Sequence, residues 1–463
     1  MKLNKKRNRD NHKIGQKKTN NNTINLNCPF CSYKTPKTYN YDRHIFINHN
    51  KYINNIPNVP KSISSYKNLH EIRDKHMKYS CSSSDTQKMN SRYFISYLIS
   101  ENYERKYFSL LQSIFNKNNR LNKYEEDLGQ YYLNSSKIIG NGTFTKTFLG
   151  EDKFFKFYVA ILKTKLNYKD NIDIEEFILQ RVHGKGNFPQ LYDTIYDEQY
   201  QYFIESLMGP TLKSLFKISD KHFDLYTILN IGIDLVTNLK IFHDLGFVHR
   251  DLKPDNLVFG NLCFENYTKR KDIGVIDFGN SKIILNKDGN IKYSYKKTRL
   301  YGNKTFASTD ALKDRDVSKK DDLISVFYIL IYFFFGTLPW IKKNRKDSKF
   351  SKDEIIKIRE SIKIKEFCKS LPDEFINLID YIMRIPATEE PDYDNILFVL
   401  RSLKVKEERN NKNIRNKFVW INILEDFCNN PEQISKEKRK YIKTLFDKYS
   451  INIKEYVKYI NSN

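Results

Sequence analysis

The sequence predicts an α+β architecture in two lobes, strand-rich first and helical second, preceded by a small metal-held ββα unit. Three observations carry this prediction. Two cysteines and two histidines cluster between Cys28 and His49, and short apolar runs such as "YFIESL" populate the chain from about residue 131. After Thr211 long helical patterns take over, as in "LYTILNIGIDLVTNLKIFHDLG", Leu225 to Gly246, with apolar residues at three- and four-residue intervals and a closing glycine. Strands followed by helices suit an enzyme with a cleft between two lobes.

Taken in order, residues 1–27 are basic and Asn-rich with little to bury, and read as a disordered arm. Residues 28–49 form the compact cluster. Residues 50–130 read as a linker, with Pro57, Pro60 and the polar run "SCSSSD", and with a possible helix over 92–116 where apolar residues recur at helical spacing. Residues 131–404 are the two-lobed domain, and 405–463 a charged helical extension of no evident chemistry.

The formal net charge of +25 implies attraction to polyanions, although a lysine-rich, AT-driven composition explains it equally well. The N-terminal segment has no apolar stretch behind its charges and is not a secretory signal. The most apolar run, "LISVFYILIYFFF" at Leu323 to Phe335, is short of the roughly 20 residues that cross a bilayer, so it reads as a buried core helix and no membrane partner is expected. Of Cys28, Cys31, Cys81, Cys263, Cys368 and Cys428 only the first two sit at a recognisable spacing, which suits a reducing, intracellular compartment.

"NCPFCSYKTPKTYNYDRHIFINHNK" places Cys28 and Cys31 on one tight turn and His44 and His49 on one helical face, a set able to close a tetrahedral shell around Zn2+. So small a unit would need the metal to fold. The stretch resembles the Cys-Cys-His-His zinc fingers, with Tyr41 at their core leucine position and Thr35 where a core aromatic is usual. By that resemblance Lys37, Asn40 and Arg43 would face bases, making nucleic acid a possible partner, with a protein-docking role nearly as well supported.

The strongest signal is "FVHRDLKPDNLVFG", Phe247 to Gly260. Asp251 can accept a hydroxyl proton, Lys253 can neutralise transferring charge, and Asn256 can hold magnesium, as phosphoryl transfer requires. "VIDFGNSK" follows, with Asp277 as a second magnesium ligand. Together these strings resemble the protein kinases. "GPTLKSLF" at Gly209, "FAS" at Phe306 to Ser308, "KKDDL" before the apolar helix, "GTLPW" after it and "PDY" at Pro391 narrow the resemblance to the casein kinase I superfamily, which includes the vaccinia-related kinases.

That resemblance implies a two-lobed kinase fold, ATP and Mg2+ as cofactors, and a protein substrate. Lys253 favours serine or threonine as acceptor. It also implies that Asp322 is a buried carboxylate bonding back to the catalytic loop, and that Gly140, Gly142, Phe144, Lys163, Glu175 and Glu205 line the nucleotide site. Thr145 replaces the third glycine of the phosphate loop, and Thr305 replaces an arginine that helps bind acidic substrates, with Lys296, Lys297, Arg299 and Lys304 as substitutes. A monomer is expected, in the nucleus or at a viral replication site.

One position is ambiguous. The family's Val-Ala-Ile-Lys strand is here Val159, Ala160, Ile161 and Leu162, with Lys163 one residue late. Side chains alternate along a strand, so a literal register turns Lys163 away from the cleft and implies a pseudokinase that scaffolds nucleic acid or protein. A register slipped by one, absorbed by a longer hairpin, brings Lys163 inward to pair with Glu175, with Glu176 as understudy. The slipped register, and with it an active serine/threonine kinase, is the expectation.

Overall fold

The computed structural model describes residues 26–27, 34–35, 126–142, 145–153, 157–166, 169–260, 262, 272–284, 299–342, 350–410 and 418–461. Cys28, Cys31, His44, His49, Phe144 and the helix expected over 92–116 lie outside them. Residues 1–101 form one unit. Within it β1 (Leu26–Asn27) pairs antiparallel with β2 (Lys34–Thr35), so Cys28 and Cys31 fall in sequence between two paired strands.

The second unit, residues 102–463, begins with an antiparallel sheet. Its strands are β3 (Glu126–Leu128), β4 (Tyr131–Asn141), β5 (Thr145–Asp152), β6 (Tyr158–Lys165), β7 (Leu191–Tyr196) and β8 (Tyr200–Ser206), in the order β3-β4-β5-β6-β8-β7. Helix α1 (Lys169–Val182) interrupts this run after β6. Opposed residues of antiparallel neighbours share a face. Ala160 lies opposite both Leu149 and Glu205, and Leu162 opposite Phe203. Leu149, Ala160 and Phe203 join Ile178, Leu179 and Val182 of α1 in the core, which identifies this face as the one turned toward α1.

The helical half starts with α2 (Leu212–Ile218), capped by Thr211, and α3 (Leu225–Asp244), capped by Asp224 Oδ1 accepting from the Thr227 amide at 2.8 Å. Helix α3 is long and apolar enough to cross a membrane, but most of that stretch is buried inside the fold. Two small ribbons follow: β9 (Phe247–Val248) pairs with β12 (Lys282–Ile283), and β10 (Leu257–Phe259) with β11 (Ile273–Val275). After the short α4 (Thr309–Leu312), α5 (Lys319–Phe335) begins in a capping box between Ser318 and Asp321 and ends at Gly336, whose φ of 74° suits a glycine. Helix α5 is the apolar run of the sequence, and it is buried almost throughout, as expected.

Four more helices complete this half: α6 (Lys352–Ser361), α7 (Ile364–Phe367), α8 (Asp373–Arg384) and α9 (Tyr393–Asn410). Helix α9 runs through position 404, so the boundary expected there falls inside a helix. The last three, α10 (Val419–Asn429), α11 (Lys436–Lys448) and α12 (Ile453–Asn461), are not a loose appendage. Trp420 is fully buried, stacked on Phe418 at 4.5 Å and set edge-on against Phe259 at 5.1 Å. Lys217 of α2 sits over the Tyr441 ring, and Lys137 of β4 donates to the Asp447 carbonyl at 2.8 Å. The extension therefore spans from the helical half to the first long strand of the sheet.

Candidate active site

The loop from His249 to Asn256 leaves β9 and is gripped from below by one carboxylate. Asp322, in the first turn of α5, accepts the amides of His249 at 2.6 Å and Arg250 at 2.9 Å. It also meets His243 Nε2 at 2.9 Å, while His243 Nδ1 meets the Tyr393 hydroxyl at 2.5 Å. Burial alone would raise the Asp322 pKa, but the hydrogen bonds and the neighbouring histidines outweigh it and hold the carboxyl below the ordinary range. This clamp keeps Arg250 at a φ of +69°, a conformation costly for a residue with a side chain. Asp322 had been expected to bond back to this loop. His243 and Tyr393 had not, although the "PDY" string contained the tyrosine.

Asp251 is buried and held on both oxygens. Oδ1 accepts the Asn303 amide at 2.8 Å, and Oδ2 accepts Lys253 Nζ at 2.6 Å and Asn280 Nδ2 at 3.3 Å. Asn256 donates from Nδ2 to the Asp251 carbonyl at 2.9 Å, tying the two ends of the loop. Gly302 at φ +77° lets the following chain approach, since a Cβ there would stand 2.6 Å from Asp251 Oδ1. Burial works against the Lys253 ammonium, but Asp251 and Asp277 keep its pKa above the ordinary value. Asn280 and Asn303 carry no motif signature that sequence reading could have used.

Asp277 opens to the cleft yet lies deep within the protein. Its depth raises its pKa, while Lys253, His249 and Asn256 act in the opposite direction. The adjacent Phe278 is locked between Phe242, stacked at 5.4 Å, Phe188 at 5.9 Å and His249 at 5.6 Å. Its amide donates to Glu175 Oε1 of α1 at 3.2 Å, so α1 and the Asp277 loop are fixed to one another. Burial first, then the Asp277 charge, push the Glu175 pKa upward. Glu205 of β8, on the α1-facing side of the sheet, is raised well above the usual range by burial and then by Glu175 and Asp277.

The stretch expected to form the phosphate loop falls in sequence at the end of β4 and the start of β5. Gly142 donates to the Thr145 carbonyl at 2.9 Å, and a Cβ on Gly140 would stand 2.9 Å from Thr147 Oγ1. Thr145 hydrogen-bonds Thr164 Oγ1 at 2.6 Å, which gives its hydroxyl a partner on the neighbouring strand.

The inward placement expected for Lys163 is corrected by the structure. Lys163 contacts Glu126 of β3 at 2.9 and 3.0 Å and lies over the rings of Tyr200 and Tyr202, whose hydroxyl also meets Glu126 at 2.6 Å. It pairs with Glu126 and not with Glu175. The physical reason is that β5 and β6 pair residue for residue from Thr145 opposite Thr164 to Glu151 opposite Tyr158, with no bulge to absorb the extra residue. Register shifts lie instead between β4 and β5, and near Leu191 to Asp193 between β7 and β8. Ile161 fixes the register further, because it fills the space over Gly150, where a Cβ would stand 2.3 Å from its Cδ1. Leu162 therefore occupies the face toward α1, in the slot expected for the lysine.

Two consequences follow for the other basic residues. Lys304 donates to the Phe350 carbonyl at 2.5 Å and Arg299 lies over Tyr301, so both already have partners in the fold. Lys296 and Lys297 lie outside the described residues. Lys163→Met is expected to cost about 1 kcal/mol or less, the worth of a partly exposed ion pair, and to leave nucleotide affinity near that of the wild type. Denaturant melts and calorimetry with Mg-ADP check both; a collapse of affinity would return Lys163 to the cleft.

The Asp277 carboxyl and the Asn256 amide oxygen are hard oxygen donors on adjoining segments, a set suited to a magnesium ion. Among the described residues no group of three or more His, Cys, Asp and Glu side chains is placed to hold a metal, and the four expected zinc ligands lie outside those residues. A family model described as protein kinase domain matches residues 133–397.

Proposed function

The chain belongs to the protein kinase family, and from that premise we propose that it is an ATP- and Mg2+-dependent serine/threonine kinase of the casein kinase I type. The observation that carries this reading is Asp251, buried, ionically tied to Lys253 and steered by the Asn303 amide, beside Asn256 and Asp277. In the reaction the acceptor hydroxyl oxygen bonds to the γ-phosphorus, its bond to the ADP oxygen breaks, and the hydroxyl proton passes to Asp251. Lys253 stands beside Asp251 to offset charge on the transferring group. Asn256 and Asp277 are the residues that would hold magnesium, which would supply charge neutralisation at the phosphate oxygens when bound.

The casein kinase I assignment is supported by how its motif residues interlock. Ser308 of "FAS" donates to Asp321 of "KKDDL" at 2.5 Å. Gly209 lies so close to the Phe259 carbonyl, 1.9 Å from where a Cβ would stand, that only glycine fits. A zinc finger at Cys28, Cys31, His44 and His49, with the basic arm, would direct the kinase to nucleic acid within the cell. That proposal rests on the ligand spacing and on the net charge of +25.

A second reading, a kinase-shaped scaffold with little or no turnover, is favoured by one observation: Leu162 stands where the phosphate-binding lysine was expected. Transfer of radioactive phosphate to casein and to the chain itself, followed by phosphoamino-acid analysis, separates the two. Phosphoserine or phosphothreonine is the expected product. Label no greater than background would support the scaffold, and phosphotyrosine alone would overturn the acceptor assignment. Elemental analysis of the same sample should return about one zinc per chain, lost on Cys28→Ser.

A further inference from the structure

The chain that follows Gly302 forms a rim beside Asp251. Asp251 is only 4 % exposed, whereas Gly302 is exposed and Asn303, Lys304 and Thr305 are half-buried. Asn303 donates its amide to Asp251, while its side-chain oxygen accepts the Thr305 amide at 2.7 Å and its carbonyl accepts the Ala307 amide at 3.1 Å. Residues 303–307 are therefore one small knot, and a shift of the knot moves the rim. A polypeptide that presents a hydroxyl to so deep a carboxylate passes over the accessible residues next to it, so the position of the rim sets how well that polypeptide is held.

The knot is held from the helical half, chiefly by one side chain. Arg359, in the last turn of α6, donates from Nη1 to the Ala307 carbonyl at 2.5 Å and from Nη2 to the Thr305 carbonyl at 2.8 Å. Its guanidinium lies over the buried rings of Trp340 at 4.3 Å and Tyr328 at 4.5 Å, and Trp340 Nε1 donates to the same Thr305 carbonyl at 2.7 Å. Among the described residues Arg359 Nε has no hydrogen-bond partner and no carboxylate pairs with the charge. The fork is thus directed wholly at the knot. A planar guanidinium fixes the spacing and direction of two carbonyls, whereas a lysine ammonium acts as a point charge.

Asp251 keeps Lys253 and Asn280 on Oδ2 whether or not the knot moves, and Asn256 and Asp277 lie on other segments. Loosening the rim should therefore weaken capture of the acceptor and leave the chemical step and the nucleotide largely alone. We infer, on the premise of the kinase reading above, that Arg359 is a positioning residue for the acceptor polypeptide, acting through the Thr305 and Ala307 carbonyls.

Kinetics of phosphate transfer to casein at saturating Mg-ATP test this, with Mg-ADP affinity by calorimetry and a denaturant melt on the same samples. Arg359→Met keeps the aliphatic stem against the rings and removes both donors. It is expected to raise KM for casein about tenfold or more, with kcat within about threefold and Mg-ADP affinity within about twofold of the wild type. Arg359→Lys, which keeps the charge, should fall between the two. Trp340→Phe keeps a ring beside the guanidinium and removes one donor to Thr305; a rise in KM of about threefold is expected, which keeps the test decisive if Arg359→Met does not melt cooperatively. An unchanged KM in cooperatively melting variants would overturn the inference and leave the kinase reading standing. Casein KM and Mg-ADP affinity worsening together, in step with the melt, would also overturn it, because a general loosening of the fold would then be the cause. A fall in kcat alone would move the effect to Asp251 and overturn the assignment to acceptor capture. A wild-type chain that transfers no phosphate would overturn the kinase reading and this inference together.

Discussion

Asp251→Asn is expected to lower phosphate transfer by roughly 10²–10⁴-fold, the usual contribution of a positioned general base. The asparagine oxygen can still accept the Asn303 amide, and the loop stays anchored by the Asp251 carbonyl bond to Asn256, which the substitution does not touch. What is lost is the proton acceptor and the ion pair with Lys253. Single-turnover phosphate transfer to a serine peptide measures the first effect, and a denaturant melt checks that the fold survives. Wild-type transfer no faster than that of the variant would mean that Asp251 takes no proton, and the scaffold reading would replace the enzymatic one.

Asp322→Ala should unfold more easily by about 3–5 kcal/mol, because it strips one acceptor from three buried or half-buried donors at once. The His249 and Arg250 amides and His243 Nε2 would be left with no partner in the space that Asp322 vacates. Arg250 also loses the bond that holds its left-handed backbone, so the Asp251 loop should relax and transfer should fall with stability. The sign with pH is fixed by the depressed Asp322 pKa. Its stabilisation is present above the ordinary carboxylate pKa and is lost as pH falls through the folded value, so wild type and variant should converge in acid. Urea melts at neutral and acid pH test this. A loss under about 1 kcal/mol at neutral pH would show that the loop is held elsewhere.

Much of this protein is legible in its sequence for a simple reason: its chemistry is concentrated in contiguous strings. Asp251, Lys253 and Asn256 lie within six residues, and the structure brings them together as a loop because short-range geometry leaves them little choice. The long apolar run could be read as a core helix, and the strand-rich and helical halves follow the two periodicities, 2 and 3.6, that local stereochemistry imposes. Asp322 was legible through its motif, and the acidic first turn of α5 supports that reading.

The face of a β-strand residue was not legible, and Lys163 shows why. A slip of one residue exchanges the two faces of β6, and what decides between them lies far away in the chain. Gly150 makes room for Ile161, Glu126 on an additional strand receives the ammonium, and β5 pairs with β6 without a bulge. Each of these is a cross-strand contact that no local spacing encodes. The same holds for the acidic lining of the cleft, since Glu175, Glu205 and Asp277 are up to about a hundred residues apart and meet only after the sheet, α1 and the β11 loop have packed. The sequence by itself determined which residues could do chemistry, because residue type and short spacing set what a loop can hold. The tertiary structure alone decided which of them share a cleft, because register and long-range packing fix the direction in which each side chain points.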